Sequence, residues 1–365
     1  MKTKVCHIST VHKPFDDRIF HKECRSLVNA GFDVSLVVTH DKKETVNGVK
    51  IIPLPASKGR IHRMIVKSHF AFYRSLRTKS KIYHFHDPEL MFVGLLLSLL
   101  GKKVVYDSHE NVSKQIESKS YIKPKIFRIL VSKSYRIIER ICIAFFSSVI
   151  SVTPEIVSFL SKKKGLLVRN FPIISLIDEA KANKPKEGKK VVFYAGGLSK
   201  IRGIEEACWA VHNSKMDIEL QLAGSWESEQ YKQSCLGIDK NKVKYLGLFP
   251  MEDIYPMMKV ADIGLATLYP EKNYLNSYPI KAFEYMACQL PIIMSNFPYW
   301  EEAFATYASF VDPCSPTDIQ NQLEFLLSNP AVAKKMGENG RKAVLEKYSW
   351  EAESKKLVEL YKSLV

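Results

Sequence analysis

The sequence predicts an α/β protein of two domains, each a parallel sheet covered by helices on both faces. Three observations carry this. Short β-rich runs alternate with helical stretches along the whole chain, the pattern of a covered parallel sheet. The alternation breaks once, at DEAKANKPKEGKK (178–190), which is charged, almost without large apolar residues and contains a proline, and then restarts. Finally, 365 residues, 46% of them hydrophobic, suffice for two ordinary cores.

The first half opens with the strand KVCHIST and the polar loop VHKPFDDRIF. An amphipathic helix follows through Lys22, Cys24, Leu27 and Val28, with Gly31 as its stop. FDVSLVV, VKIIPLP and IYHFH are the next strands. LMFVGLLLSLL (90–100) is the longest apolar run. It is too short for a bilayer, which needs about 20 residues, and reads as a buried helix. KVVYDSHE, SSVISVT and LLVRNFP close the half. The second half runs KVVFYAGG, a helix with Ile204 and Ala207, DIELQLAG, KVKYLGLF, a helix over 251–260, DIGLATL, the helix inside NSYPIKAFEYMACQLPII, and LPIIMSNF. The expected division is a first domain 1–177, a linker 178–190, a second domain 191–345 and a closing helix 346–365. Ligands of such sheets bind outside the carboxyl ends of the strands, and a cleft between two similar halves suits that.

Charge is distributed unevenly. Residues 1–180 carry 31 Lys+Arg against 15 Asp+Glu, whereas residues 181–365 carry 23 of each, so the whole excess of +16 lies in the first half. Lys58, Arg60, Arg63, Lys67, Arg74, Arg77, Lys79 and Lys81 meet no acid and alternate with Ile65, Phe70, Phe72 and Leu76. KQIESKSYIKPKIFRILVSKSYRIIER (114–140) repeats the mixture. Such stretches suit an anionic membrane surface, at about 1 kcal/mol per nearby Lys or Arg. A merely solvated basic face is the plainer alternative. No nucleic-acid-binding signature is present, and no nucleic-acid partner is expected. The seven scattered cysteines form no CxxC pair, which fits a reducing cytosol and buried structural roles. No secretory signal is visible at the N-terminus.

Ile280, Phe283, Ala287 and Leu290 form an apolar helical stripe after Pro279, with Ser277 as candidate cap. Glu284 lies beside that stripe and needs a partner. An exposed pair with Lys281, worth about 0.3–0.5 kcal/mol, would explain it without any function. GGLSKIRG, after the strand KVVFYAGG, offers glycines that let backbone amides approach an oxyanion, and Arg202 as a charged contact. A tight turn feeding a helix explains those glycines equally well. His84, His86, Asp87 and Glu89 in HFHDPE look like metal ligands, but strand alternation and an Asp-Pro turn account for them too.

Several motifs, in order, resemble glycosyltransferase family 4: STVHKPFDDRIFHKECRSLVNAGFDVSLV, HFHDPEL, YDSHENV, VTPEIVSFL with VRNFP, GGLSKIRG, YLGLFPMEDIYPMMKVADIGLATL, NSYPIKAFEYMACQLPII and YSWEAESKKLVELYKSL. The resemblance spans nearly the whole chain. It implies a GT-B fold of two Rossmann-like domains, with the last helix crossing back to the first. It implies a retaining, metal-independent enzyme using a nucleoside-diphosphate sugar as substrate, with no cofactor and no metal. The second glutamate of the family's Glu–x7–Glu motif falls on Glu284 and would hold the donor ribose. The first corresponds to Asn276, a departure, with the amides of Ser277 and Tyr278 facing the sugar or phosphate. Of the family's two diphosphate-binding cations, Arg202 keeps one. Gly197, beside Gly196, replaces the other, for which Lys200 or Lys281 could compensate. His109 matches a histidine beside the donor sugar. His12, Asp17 and Arg18 occupy the loop that is glycine-rich in many relatives.

The sequence thus leads to a cytoplasmic glycosyltransferase at the inner face of the membrane, acting on a glycan or polyprenyl-linked acceptor in surface polysaccharide biosynthesis. A sugar-nucleotide 2-epimerase of the same architecture and a non-catalytic protein that binds anions or nucleic acid are the rivals. Donor base, sugar, acceptor, linkage and oligomeric state are not legible.

Overall fold

A computed structural model describes residues 2–108, 111–118, 123–161, 163–182, 188–272 and 274–365. The chain forms two compact units, residues 1–170 with 352–365, and residues 171–351.

The first unit is built on an eight-stranded sheet of β1 (Lys4–Ile8), β2 (Asp33–Thr39), β3 (Glu44–Val46), β4 (Val49–Leu54), β5 (Ile82–Phe85), β6 (Lys103–Ser108), β7 (Ser148–Ser151) and β8 (Gly165–Leu167). Their spatial order is β3-β4-β2-β1-β5-β6-β7-β8. Every pairing is parallel except that of β3 with β4. The central strands are buried on both faces, which is why they read as runs of Val, Ile, Leu and Phe. Cys6, Ile8, Tyr83, Phe85, Tyr106 and Val149 pack into one core with Leu90, Leu97 and Phe146.

The second unit carries six strands, all parallel: β9 (Lys190–Ala195), β10 (Ile218–Ala223), β11 (Val243–Gly247), β12 (Ile263–Ala266), β13 (Ile292–Ser295) and β14 (Ala308–Val311). Their order is β11-β10-β9-β12-β13-β14. Among the parallel strands of each sheet the order reverses once, between β1 and β5 and between β9 and β12. At such switch points the loops leaving neighbouring strand ends diverge and open a crevice.

Three expectations are corrected. The unit boundary falls at residues 170/171 and not at the charged segment 178–190. Ile174 and Ile177 of the helix Ile174–Glu179 are buried in the second core, and Arg341 binds Asp178 at 2.6 Å. Residues 183–187 lie outside the described residues. The apolar run 90–100 forms the helix Met91–Leu99, but Phe92, Leu96, Leu99 and Leu100 are exposed. Cys314 is exposed as well, although all seven cysteines are free thiols. The closing helix spans Trp350–Ser363, and its residues from Ala352 onward belong to the first unit. There the Tyr361 hydroxyl meets His84 Nδ1 at 2.7 Å.

Glu139, buried in the helix Lys125–Phe145, has its carboxyl pushed up to about 7 by burial, against the opposing hydrogen bonds of Tyr135 and Tyr106. A raised carboxyl pKa means that the folded chain holds a proton that the unfolded chain releases. Stability therefore falls as pH rises from about 4.5 to about 7. Glu139→Gln is expected to remove that slope and to stabilise the protein at pH 8 by about 1–3 kcal/mol. Equal effects at pH 5 and pH 8 in denaturant titrations would contradict it.

Candidate functional site

The glycines that end β9 sit at the switch point of the second sheet. Gly196 and Gly197 are exposed, and the Tyr194 hydroxyl donates to Gly197 O at 3.0 Å, bracing the turn from beneath. Gly224, after β10, is required by close approach: a Cβ there would lie 1.8 Å from Gly196 O. Gly203 has φ +65°, and a Cβ on it would lie 2.3 Å from Thr267 O, just beyond β12. The loops leaving β9, β10 and β12 are thus drawn together by glycines.

The helix Ile280–Ala287 places Lys281 at this turn and carries Glu284 one helical turn further on. Lys281, in its first turn, is buried. Its Nζ lies 3.6 Å from the Tyr194 ring centroid and makes no hydrogen bond. A Cβ built on Gly196 would sit 2.9 Å from that Nζ, so the ammonium stands directly behind the glycine turn. Burial pushes the Lys281 amine well below its ordinary pKa. Arg202 adds to that, and Glu284 opposes it. Arg202 itself lies 5.7 Å from the Tyr274 ring centroid. Burial raises the Tyr194 hydroxyl to about 12, against the pull of Arg202. Glu284, half-buried one turn after Lys281, accepts from the Tyr255 hydroxyl at 3.3 Å. An exposed glycine turn backed by two cations suits an anion with several oxygens, and a carboxylate one helical turn away can accept from hydroxyls.

Other expected residues lie differently. Asn276 is exposed. Ser277 is not the helix cap. Its amide and hydroxyl both bond Tyr274 O, at 3.2 and 3.4 Å, and its carbonyl accepts from Trp300 Nε1 at 2.6 Å. Its amide is therefore taken by the preceding turn. The Tyr278 ring stacks on Tyr299 at 5.0 Å and meets Phe283 edge-on. Of the apolar stripe, Phe283, Ala287 and Leu290 are buried and Ile280 is exposed, while Ala282, Tyr285 and Met286 widen the buried face.

In the first unit, Asp87 accepts from Thr10 N at 2.6 Å and Ser9 Oγ at 2.9 Å, with His12 Nδ1 3.2 Å away. Burial works against ionisation of Asp87, but His12 and these donors win and hold its pKa at about 2. Burial lowers His12, yet Asp87 outweighs it and the net direction is up. Asp17 is exposed. Arg18 is buried and engaged internally, its Nε 2.9 Å from Asp107 and 3.0 Å from Glu23, and its Nη1 donating to Val168 O at 3.1 Å. It is an internal tie and not a first-loop ligand contact. His109 lies outside the described residues. Of the suspected metal set, Asp87 and Glu89 turn towards Thr10, and Arg63 Nε reaches Glu89 at 2.5 Å. His84 and His86 instead join His7 and Glu23 inside the unit.

The pattern described as "Glycosyltransferase Family 4" matches residues 17–171, and that described as "Glycosyl transferases group 1" matches residues 177–343. The chain belongs to glycosyltransferase family 4. It is 27% identical over 188 residues to an uncharacterized glycosyltransferase of Methanocaldococcus jannaschii, covering 48% of this chain and 46% of that protein. It is 22% identical over 300 residues to the MMP alpha-(1->4)-mannosyltransferase of Mycolicibacterium hassiacum, covering 77% of this chain and 70% of that one. The chain thus spans about half the length of the first of these relatives. Its fold is GT-B. HepE of Anabaena, solved in complex with UDP and glucose, superposes with TM-score 0.73 at 14% identity, over 99% of this chain and 100% of that one.

Within this family 4 chain the glycine turn, Arg202, Lys281 and Glu284 all lie in the group 1 segment. Sequence reasoning named most of them but missed Tyr194, Tyr255 and Gly224. Strand-end position and the glycine after DIELQLA were the only signals available for two of these.

An amine with a depressed pKa destabilises the fold most where it is charged, and the penalty fades as pH rises towards the ordinary 10.5. Lys281→Met is therefore expected to melt higher than wild type at pH 7 in the absence of ligand, by about 1–3 kcal/mol. The gap should narrow towards pH 10. A variant that melts lower at pH 7 would refute this account of Lys281.

Proposed function

We propose that the protein is a retaining glycosyltransferase that takes a sugar from a nucleoside diphosphate to a glycan or lipid-linked acceptor in surface polysaccharide assembly. The observation that carries donor binding is Lys281, a buried ammonium without a hydrogen bond, set behind the exposed Gly196–Gly197 turn. A buried amine takes up its full charge readily only where a ligand supplies the counter-charge. Here the diphosphate would lie on the glycine turn with Arg202 and Lys281. Lys281 would supply the charge missing at Gly197, and the ribose hydroxyls would be held by Glu284.

As the glycosidic bond to the phosphate breaks, negative charge grows on the leaving diphosphate, and cations already in place stabilise it. Glu284, the carboxylate one turn from Lys281, is given to the ribose in this reading and not to a covalent glycosyl intermediate. Same-face attack then fits, the leaving phosphate oxygen taking the proton of the acceptor hydroxyl. Positioning and electrostatics carry the rate. No metal or cofactor is required in this scheme.

The helix Lys125–Phe145 supports a lipid-surface partner. Ile126, Phe127, Leu130, Ile137, Ile138, Ile141 and Phe145 are exposed. At 100° per residue they share an arc of about 120°. Lys133, Arg136 and Arg140 flank that arc, so an apolar stripe with a basic margin faces outward. The helix Met91–Leu99 packs beside it and adds Phe92, Leu96 and Leu99 to the exposed set. Among the described residues no helix is long and apolar enough to cross a membrane. We assign the stripe to the anionic, cytoplasmic leaflet. Lys67, by contrast, is turned inward, its Nζ donating to Thr10 O at 2.7 Å, so the basic run 58–81 is not wholly a surface feature.

Thermal shifts with UDP, GDP, ADP, TDP and CMP sugars, UDP first because HepE was solved with it, are expected to show one selective rise. Glu284→Ala should weaken that binding by about tenfold or more, which is about 1.4 kcal/mol. No shift with any nucleotide, or equal shifts in wild type and variant, would overturn the donor site. Separately, co-sedimentation with anionic vesicles should be strong at low salt and fall with added salt. Replacing Phe127, Leu130 and Ile137 together by Ser should reduce it at least about tenfold. Failure of the wild type to sediment would remove the membrane from the proposal.

A further inference from the structure

His7 on β1, His84 on β5, His86 just beyond it and Glu23 on the helix Asp17–Cys24 converge inside the first unit, all fully buried. Residues 7 and 84 are register partners on neighbouring strands, and 84 and 86 share one face because side chains alternate along a strand. His7 Nδ1 lies 3.1 Å from His86 Nε2. Glu23 Oε2 lies 3.9 Å from His7 Nδ1, 3.7 Å from His84 Nδ1 and 3.9 Å from His86 Nε2. One ligand atom from each of the four falls within 4.8 Å of the others. Metal–nitrogen bonds of about 2.0–2.1 Å at tetrahedral angles require edges of about 3.3–3.4 Å. The four edges given lie within about 0.6 Å of that, and none of the six exceeds 4.8 Å.

The cluster is only partly satisfied: His7 Nδ1 and His86 Nε2 face each other, the Tyr361 hydroxyl meets His84 Nδ1 at 2.7 Å, and Arg18 Nε lies 3.0 Å from Glu23 Oε1. Glu23 Oε2, turned to the three imidazoles, accepts no hydrogen bond, and His84 Nε2 has no hydrogen-bond partner. Arg18 faces both Asp107 and Glu23, one cation against two carboxyl groups. Three imidazoles converging on a carboxylate, without a thiolate, form the donor set of a tetrahedral divalent cation.

We propose that His7, His84, His86 and Glu23 form a closed structural site for a divalent transition-metal ion, with zinc the best fit. All four positions would be filled by protein, which leaves no place for water or substrate. The ion therefore ties β1, β5 and the helix Asp17–Cys24 together and takes no part in transfer. Tyr361, whose hydroxyl lies 3.3 Å from His7 Nε2, completes the surroundings. It can accept the Nε2–H of a His7 bound through Nδ1, the kind of outer contact that fixes the tautomer of a metal-bound imidazole. Asp107 Oδ2, 3.4 Å from His86 Nδ1, does the same for His86 bound through Nε2. Because the site is buried, the ion would enter as the chain folds.

The test uses the full chain without an affinity tag, unfolded in guanidinium with EDTA and refolded with or without zinc chloride. After dialysis, elemental analysis is expected to find about one zinc per chain in the zinc-refolded sample, which should melt about 5 °C or more above the other. Refolding with cobalt should give the intense visible bands of a tetrahedral site. Glu23→Gln is expected to lose the ion, whereas His212→Gln, at an exposed histidine, should keep it. Less than about one tenth of an equivalent in the refolded wild type, with unchanged melting, would overturn the site. So would full retention by Glu23→Gln. If that variant does not fold, the two wild-type refolding arms decide alone.

Discussion

The second unit is organised around one unfavourable arrangement, a lysine ammonium held in the protein interior beside an aromatic ring and a second cation. Everything around Lys281 makes that placement possible. The Tyr194 ring supplies the face on which it rests, the absence of side chains at Gly196 and Gly197 leaves its front open, and Gly224 lets the β9 and β10 loops close together. A helix of eight residues, begun by Pro279, fixes its depth. An unpaired interior charge persists when the surrounding packing over-determines it, and such sites recur where a ligand of opposite sign completes them.

The first unit treats its interior charges in the opposite way. Arg18 is drawn in by Asp107, Glu23 and a backbone carbonyl, and Lys67 by Thr10 O and Thr39 Oγ1. Burial sets the Arg18 guanidinium against desolvation, and the two carboxylates more than restore it. These contacts join segments far apart in sequence, so they secure the fold and are unavailable to substrates.

Much of this was legible beforehand, because its signals are local or periodic. Both sheets, the glycine turn and the Glu284 helix follow from runs of β-branched residues, glycine placement and helical spacing. The failures share a cause in long-range partnering. Arg18 looked like a loop residue because Asp107 is 89 positions away. The histidines of HFHDPE were grouped with Asp87 and Glu89, their sequence neighbours, whereas their spatial neighbours are His7 and Glu23. The domain boundary was placed at the most polar segment, yet Ile174 and Ile177, before it, already belong to the second core. Ser277 failed as a cap because the Tyr274 turn and Trp300 claimed it first.

The depressed pKa of Lys281 has a further consequence for any anion that settles on the glycine turn. Such a ligand restores the full charge of the amine, so the bound state holds more protons than the free state wherever pH lies between the two pKa values. Association then draws protons from the solution. Its apparent affinity must weaken with rising pH, and its measured heat must depend on the ionisation enthalpy of the buffer. Proton uptake and anion binding would be, at this lysine, one event.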